Sequence, residues 1–348
     1  MAVSLAVFLT LLLLEIGIRL FWKNVQGPII PLSLKTHRLS GNPKLGYELI
    51  PNSSAFEDEV WYRINGDGIR DNPYPQQKPQ GIFRIAAVGD SLTFGMAVDF
   101  GNTWPKQLEA ALRRMSIQAE VINFGVMGYD TTQMAELIES KVLTFSPDVI
   151  IIGYCLNDIG ILSREGSVLS QYRGYHEFLT TGISWLDGLL SHFRLHRLFK
   201  NRLYLKKTKT HTQPPHFSKD GHKVLQVGLR NFIIGAYNEP ANRSRLEQSL
   251  QKIRRLTEGK ISVLLAIYPE LNNFESYPYR EVHSEVARLA KDFGFEVLDP
   301  LADFLKHDSR KLRVNYTNLH PNRAGNAVFS RAVARFLVRK GLFRDKAK

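Results

Sequence analysis

Residues 82–95, IFRIAAVGDSLTFG, set an apolar run directly against a turn rich in Gly, Asp and Ser. The run at 82–88 reads as a strand buried on both faces, because it is bounded by glycine and shows no polar alternation. Alone, Gly89, Asp90 and Ser91 are ordinary turn chemistry, since residues of these types satisfy their own backbone at a strand end. Ser91 becomes a candidate nucleophile only if the rest of the chain brings a base and hydrogen-bond donors to the same place.

Working outward, strands alternate with helices. Apolar runs at 119–124, 148–154, 261–269 and 295–299 predict further strands, and helical spacing covers 103–116, 131–145, 243–258, 278–293 and 322–340. Unbroken apolar strands interleaved with helices predict an α/β fold with a mostly parallel sheet covered on both faces. Ligands of such sheets sit at the carboxyl ends of the strands. Ser91, Gly128 in NFGVMGYDT, Asn157 in GYCLND and His320 in HPNRAGN all fall on that edge.

Together these residues suit acyl transfer. A hydroxyl attacking an ester carbonyl builds negative charge on oxygen, so the site needs donors aimed at that oxygen and a base for the serine proton. The Ser91 and Gly128 N–H groups and the Asn157 amide can donate, and His320 can act as base. Gly125 reads as a turn glycine, Asp90 and Asp158 as backbone-bonding turn residues, and Cys155 as a small buried hydrophobe.

The four blocks resemble those of the SGNH, or GDSL, hydrolases, and the resemblance covers residues 81–345 in block order. It implies a three-layer α/β/α sandwich with a flavodoxin-like sheet, Ser91 as nucleophile, Ser91, Gly128 and Asn157 as the oxyanion hole, and His320 as general base. No metal or organic cofactor is implied. One departure stands out: the family pattern has an aspartate three residues before the histidine, where this chain has Thr317. Three explanations stay open. Asp299, Asp303 or Asp308 reaches His320; Thr317 or a backbone carbonyl orients it as a dyad; or the enzyme is slow or inactive. The resemblance further implies an esterase acting on O-acyl, in particular acetyl, esters of a cell-surface polysaccharide, by hydrolysis or acyl transfer. A lysophospholipase or thioesterase and a non-catalytic glycan-binding protein are the competing readings.

The rest of the chain frames this domain. Residues 2–22 are apolar except for Glu15 and Arg19, which predicts a transmembrane anchor over 1–22. Residues 23–80 form a turn-rich extension with hairpin signals at GYEL and VWYRI. The hydrolase domain at 81–345 carries a basic amphipathic insertion at about 160–235, a candidate lid or membrane-surface helix. His192 and His196, and His211, His216 and His222, lack the acidic partner of an H-E-x-x-H pattern and are not read as a metal site. The formal charge of +13 suits an anionic partner, but no zinc-finger or RNA-binding signature accompanies it, so nucleic acid is not an expected partner. The expected partners are an acylated carbohydrate or lipid and a membrane. Arg19, Lys23, Lys35, Arg38 and Lys44 follow the apolar stretch, which by charge would hold that side in the cytoplasm. A cell-surface substrate requires the opposite orientation. Oligomeric state is not legible.

Overall fold

The computed structural model describes residues 2–21, 35–160, 221–315 and 318–343, and within the terminal helices of two of these stretches side chains are described only at residue 6, at 9–17 and from 230 onward. Residues 1–32 and 165–216 group as one unit, of which only the helix α1 (Ala2–Phe21) is described. Residues 33–164 and 217–348 form a second compact unit.

The second unit opens with two antiparallel hairpins, β1 (His37–Leu39) with β2 (Tyr47–Leu49), and β3 (Ser54–Glu57) with β4 (Val60–Arg63). The main chain of the fold then follows as β5 (Phe83–Gly89), α2 (Ser91–Phe94), α3 (Trp104–Arg114), β6 (Ala119–Gly125), α4 (Thr131–Ser140), β7 (Val149–Cys155), α5 (Gly221–Asn238), α6 (Pro240–Thr257), β8 (Ser262–Tyr268), α7 (Arg280–Asp292), β9 (Glu296–Leu298), α8 (Leu301–Phe304) and α9 (Arg323–Arg339). The five strands β6-β5-β7-β8-β9 form one sheet with every pairing parallel. That order places the second strand of the sheet outside the first, as in flavodoxin-like sheets, with a switch point at β5.

Every residue of β5 and β7 is buried, which is why these strands read as unbroken apolar runs. On one face, Ile85, Ala87, Val121, Ile151 and Leu264 meet Trp104, Leu108 and Leu112 of α3 and Phe329 and Val333 of α9. The helices α4 and α6 pack together outside this cluster. Arg84 is the polar exception inside β5: it is fully buried, pairs with Glu120 at 2.8 Å and donates to the Pro75, Gln76 and Phe145 carbonyls. A buried guanidinium is tolerated there because its partners replace the water it has lost.

The transmembrane expectation for residues 1–22 finds no support. Among the described residues no helix is long and apolar enough to cross a membrane. Of the basic insertion expected at about 160–235, residues 161–220 lie outside the described residues, with His192, His196, His211 and His216. Its last part is the helix α5, where Ile233 and Tyr237 are buried and Tyr237 shares a 2.7 Å hydrogen bond with Tyr154 of β7.

The described part of the turn-rich segment, 35–80, belongs to the same compact unit as the sheet. Tyr47 donates to the Met127 carbonyl at 2.8 Å, Gln133 to the Leu45 carbonyl at 2.6 Å, and Asp71 accepts the Asn123 N–H at 2.8 Å.

Candidate active site

Three glycines lie side by side where the central strands end: Gly89 of β5 is in register with Gly125 of β6 and with Gly153 of β7. The short helix α2 lies against this row. A Cβ on Gly89 would come within 2.1 Å of Thr93 Oγ1, one on Gly125 within 2.2 Å of the Phe94 nitrogen, and one on Gly153 within 2.6 Å of Thr93 Oγ1. Gly125 thus serves the approach of α2, and its own N–H is taken by Asn123 Oδ1 at 2.9 Å.

Ser91 is the first residue of α2. Asp90 caps that helix by accepting the Leu92 N–H at 2.9 Å, a common use of aspartate before a helix. Burial lifts the Asp90 carboxyl to about 6, and its Oδ2 stands 3.4 Å from Ser91 Oγ. At the other end of α2, Arg70 donates to the carbonyls of Phe94, Gly95 and Val98 at 2.7, 2.6 and 2.7 Å. Its guanidinium is fully buried, 4.6 Å from the Tyr62 ring centre and 4.9 Å from that of Phe94. Tyr62 accepts the Ala97 N–H at 2.7 Å.

His320 comes from a loop closed on itself. Val314 donates to the His320 carbonyl at 2.9 Å, and Asn315 accepts the Asn318 N–H at 2.8 Å. Pro321 precedes the cap of α9. The cap is Asn322, whose Oδ1 accepts from Ala324 and Gly325 and whose Nδ2 holds the Lys311 and Arg313 carbonyls. Asn326 accepts the Trp104 N–H at 2.9 Å, tying α9 to α3 beside the site.

These elements bring His320 Nε2 to 2.8 Å from Ser91 Oγ, although the two residues lie 229 positions apart. On the far side of the ring, His320 Nδ1 is 2.7 Å from Asn318 Oδ1, which also takes the His320 backbone N–H at 3.1 Å. That second bond settles the assignment. A backbone N–H must face an acceptor, so the Asn318 atom there is oxygen, and Nδ1 carries the ring proton. Nε2 is left with a lone pair directed at the serine hydroxyl.

None of the aspartates expected near His320 is on it. Asp299 lies 3.0 Å from His283 Nδ1 and accepts the Leu301 N–H, Asp303 pairs with Lys306 and Arg335, and Asp308 pairs with Arg310. Thr317 lies outside the described residues. Asn318, two positions before the histidine, is the group that holds the ring, and a search three positions back passes over it.

Gly128 sits in the turn after β6 at φ 77°, a conformation that favours glycine. No hydrogen bond among the described residues uses its N–H. Asn157 lies in the 3₁₀ turn Leu156–Ile159 after β7, and its buried Oδ1 has no partner among the described residues. Thr131, next to the Asp130 cap of α4, donates to the Asp158 carbonyl at 2.6 Å and so links the loops after β6 and β7. Asp158 accepts the Cys155 N–H at 2.7 Å. Cys155 is buried and its thiol is pushed well above the usual range, chiefly by desolvation. A protonated thiol of this kind is a poor nucleophile. Glu270, just past β8, faces it with Oε1 3.5 Å from the sulfur, and burial lifts this carboxyl to about 7.

Burial lowers the His320 pKa to about 4, even though the residue keeps part of its surface in solvent. The direction follows from the cause, because desolvation penalises only the imidazolium and Asn318 adds no compensating charge. For a base that works in its neutral form, activity holds above the pKa and falls below it. The acid limb of kcat/KM for ester hydrolysis is therefore expected near pH 4 rather than near 6.5. Asn318→Asp puts an anion beside Nδ1. It is expected to move that limb up by about a unit or more and to raise kcat about tenfold, since an acid in this position stabilises the imidazolium that forms. Parallel pH–rate profiles of the two proteins check both.

The sequence pattern of the GDSL-like Lipase/Acylhydrolase family matches residues 87–328, more than half of the chain. No curated protein matches. Solved structures with a similar chain path include a two-domain esterase (CEX) active on acetylated mannans, at 14% identity and TM-score 0.43 over 77% of this chain and 52% of that one. They also include a family 3 carbohydrate esterase of Clostridium thermocellum, at 14% identity and TM-score 0.41 over 77% and 100%. A third is a member of the lipolytic protein G-D-S-L family from Veillonella parvula, at 16% identity and TM-score 0.41 over 74% and 99%. The chain spans about half the length of the first of these. On the match across both ends of the site, from the strand before Ser91 to the helix after His320, the chain belongs to the GDSL-like lipase/acylhydrolase family.

Proposed function

We propose that this protein is a serine esterase that cleaves O-acyl esters through an acyl-enzyme on Ser91. The observation that carries the reading is the 2.8 Å contact between Ser91 Oγ and His320 Nε2, on a ring whose other nitrogen is engaged by Asn318. In the proposed reaction Ser91 Oγ attacks the acyl carbon as its proton passes to His320 Nε2. The carbonyl oxygen gains the electron pair and is held by the Ser91 and Gly128 N–H groups and the Asn157 amide. Collapse breaks the bond to the leaving alcohol, which takes the proton from His320. Water then repeats the sequence on the acyl-enzyme, and a second hydroxyl in its place makes the step an acyl transfer. The residues already in place support this chemistry without a metal or organic cofactor.

The substrate we propose is a small acyl group, acetyl, on a polysaccharide outside the cytoplasm, a reading that rests on the family resemblance. Protease accessibility of the compact unit in intact cells tests the location. Turnover of nitrophenyl esters of rising chain length tests the acyl group. A sharp preference for acetate supports the proposal, and a preference for long chains points to a lysophospholipase or thioesterase.

A fluorophosphonate probe tests the nucleophile. The purified protein is expected to be labelled at Ser91, and Ser91→Ala is expected to take up no label. An unlabelled wild-type protein would favour a non-catalytic, glycan-binding role, and equal labelling of Ser91→Ala would move the nucleophile elsewhere.

A further inference from the structure

The hairpin segment ahead of the sheet touches the loop after β6 at one telling atom. Tyr47, with 1% of its surface exposed, donates its hydroxyl to the Met127 carbonyl at 2.8 Å. That carbonyl and the Gly128 N–H are the two ends of a single peptide group. Peptide groups are planar and stiff, so holding the oxygen sets the direction in which the hydrogen on the opposite side points. A hydrogen bond accepted by the oxygen also polarises the group and makes its N–H a stronger donor. The Gly128 N–H is the end with no bond among the described residues.

Tyr47 is itself held. Its ring meets Tyr129 edge-on at 5.2 Å and His37 at 6.2 Å, and the Tyr129 hydroxyl donates to the Tyr47 carbonyl. Burial keeps the Tyr47 phenol far above its usual pKa, so it remains a donor across the working pH range.

We propose that Tyr47 is a positioning residue for the oxyanion hole: its hydroxyl aims the Gly128 N–H, and the hairpin segment at 35–71 is thereby part of the catalytic apparatus. The proposal rests on the reading of Gly128 as an oxyanion donor. A purely structural Tyr47 would satisfy the Met127 carbonyl and affect stability alone.

The test is Tyr47→Phe in the full chain, assayed with nitrophenyl acetate and with a simple alkylboronic acid, whose tetrahedral adduct on a serine mimics the charged intermediate. The expected result is a fall in kcat of about 10- to 100-fold with KM changed by less than about twofold, below the 10²–10³ lost when a donor is removed outright. The boronate inhibition constant is expected to rise by the same factor as kcat/KM falls. Lys141→Met serves as the control, because it removes a 2.8 Å bond to the Asp67 carbonyl of the same segment and is expected to lower Tm with kcat unchanged.

A Tyr47→Phe protein that keeps kcat within twofold overturns the proposal, as does an equal loss of kcat in Lys141→Met. Should Tyr47→Phe fail to fold, Tyr47→3,5-difluorotyrosine keeps the shape and strengthens the donor; a changed kcat at constant KM supports the role and an unchanged kcat overturns it. Fluorophosphonate labelling keeps the two readings apart: loss of the positioning effect with Ser91 still labelled ends this proposal alone, whereas no labelling of the wild type ends the esterase reading.

Discussion

Replacing His320 by alanine is expected to slow ester turnover by about 10³- to 10⁵-fold and to leave Tm within a few degrees of the wild type. The rate loss follows from the 2.8 Å contact to Ser91 Oγ, since without an acceptor the hydroxyl attacks as a neutral and weak nucleophile. In a serine hydrolase with a full triad, removing the base costs about 10⁶. The gap is narrower here because Asn318, a neutral acceptor, leaves the imidazolium less stabilised to begin with. The small effect on Tm has its own reason. The Asn318 side chain also accepts the backbone N–H of residue 320, which alanine retains, and the loop bond from Val314 ends on the backbone carbonyl of the same residue. Steady-state rates with nitrophenyl acetate, beside thermal melts, check both parts.

Arg70→Met is expected to act through the fold. The side chain keeps roughly its volume and loses its charge. The Val98 carbonyl is then left with no donor among the described residues, while Phe94 keeps only a 3.4 Å bond from Asn123 Nδ2 and Gly95 a 3.2 Å bond from the Val98 N–H. Each buried unsatisfied acceptor costs about 1–3 kcal/mol. Relief from burying a guanidinium, whose pKa desolvation has lowered to about 10, offsets part of that cost. We expect a net loss of about 1–3 kcal/mol, which lowers Tm by about 2–12 °C if a domain of this size melts cooperatively at about 2–4 °C per kcal/mol. Because those carbonyls close α2, fluorophosphonate labelling of Ser91 is expected to slow in the fraction that stays folded. Arg70→Lys does not restore it, since one ammonium cannot span three acceptors set around a planar fork. Denaturation curves and labelling rates measured at a temperature where both variants are folded separate the two effects.

The strands were readable because burial on both faces leaves a plain mark: β5, β6, β7 and β8 each fall within a residue or two of the apolar runs. The last strand is shorter than its run, since β9 pairs only along Leu264–Ala266 at the sheet edge. The expected helix at 131–145 breaks at Lys141, where the backbone leaves helical geometry and a 3₁₀ turn begins. Ser91 and His320 could be found because each sits at a strand end or helix start with a repeated local context. Asn318 could not be found by looking for an acid at a fixed spacing. The tight turn that brings it under His320 is made by main-chain bonds between residues 314, 315, 318 and 320, which leave no residue-type pattern beyond a cluster of asparagines. Arg70 and Tyr47 were hidden for a related reason. They lie in a stretch whose prolines, glycines and aspartates announce turns, and only the tertiary fold lays that stretch over the loops after β5 and β6.

The row of bare backbone under α2 fixes where this site can be altered. With Gly89, Gly125 and Gly153 abreast, nothing adjustable separates the sheet from the helix that begins at Ser91. There is no shim at that place to thicken or thin. A change of specificity that leaves Ser91 in place therefore has to come from the loops at the rim, because any side chain added to this floor meets α2 first.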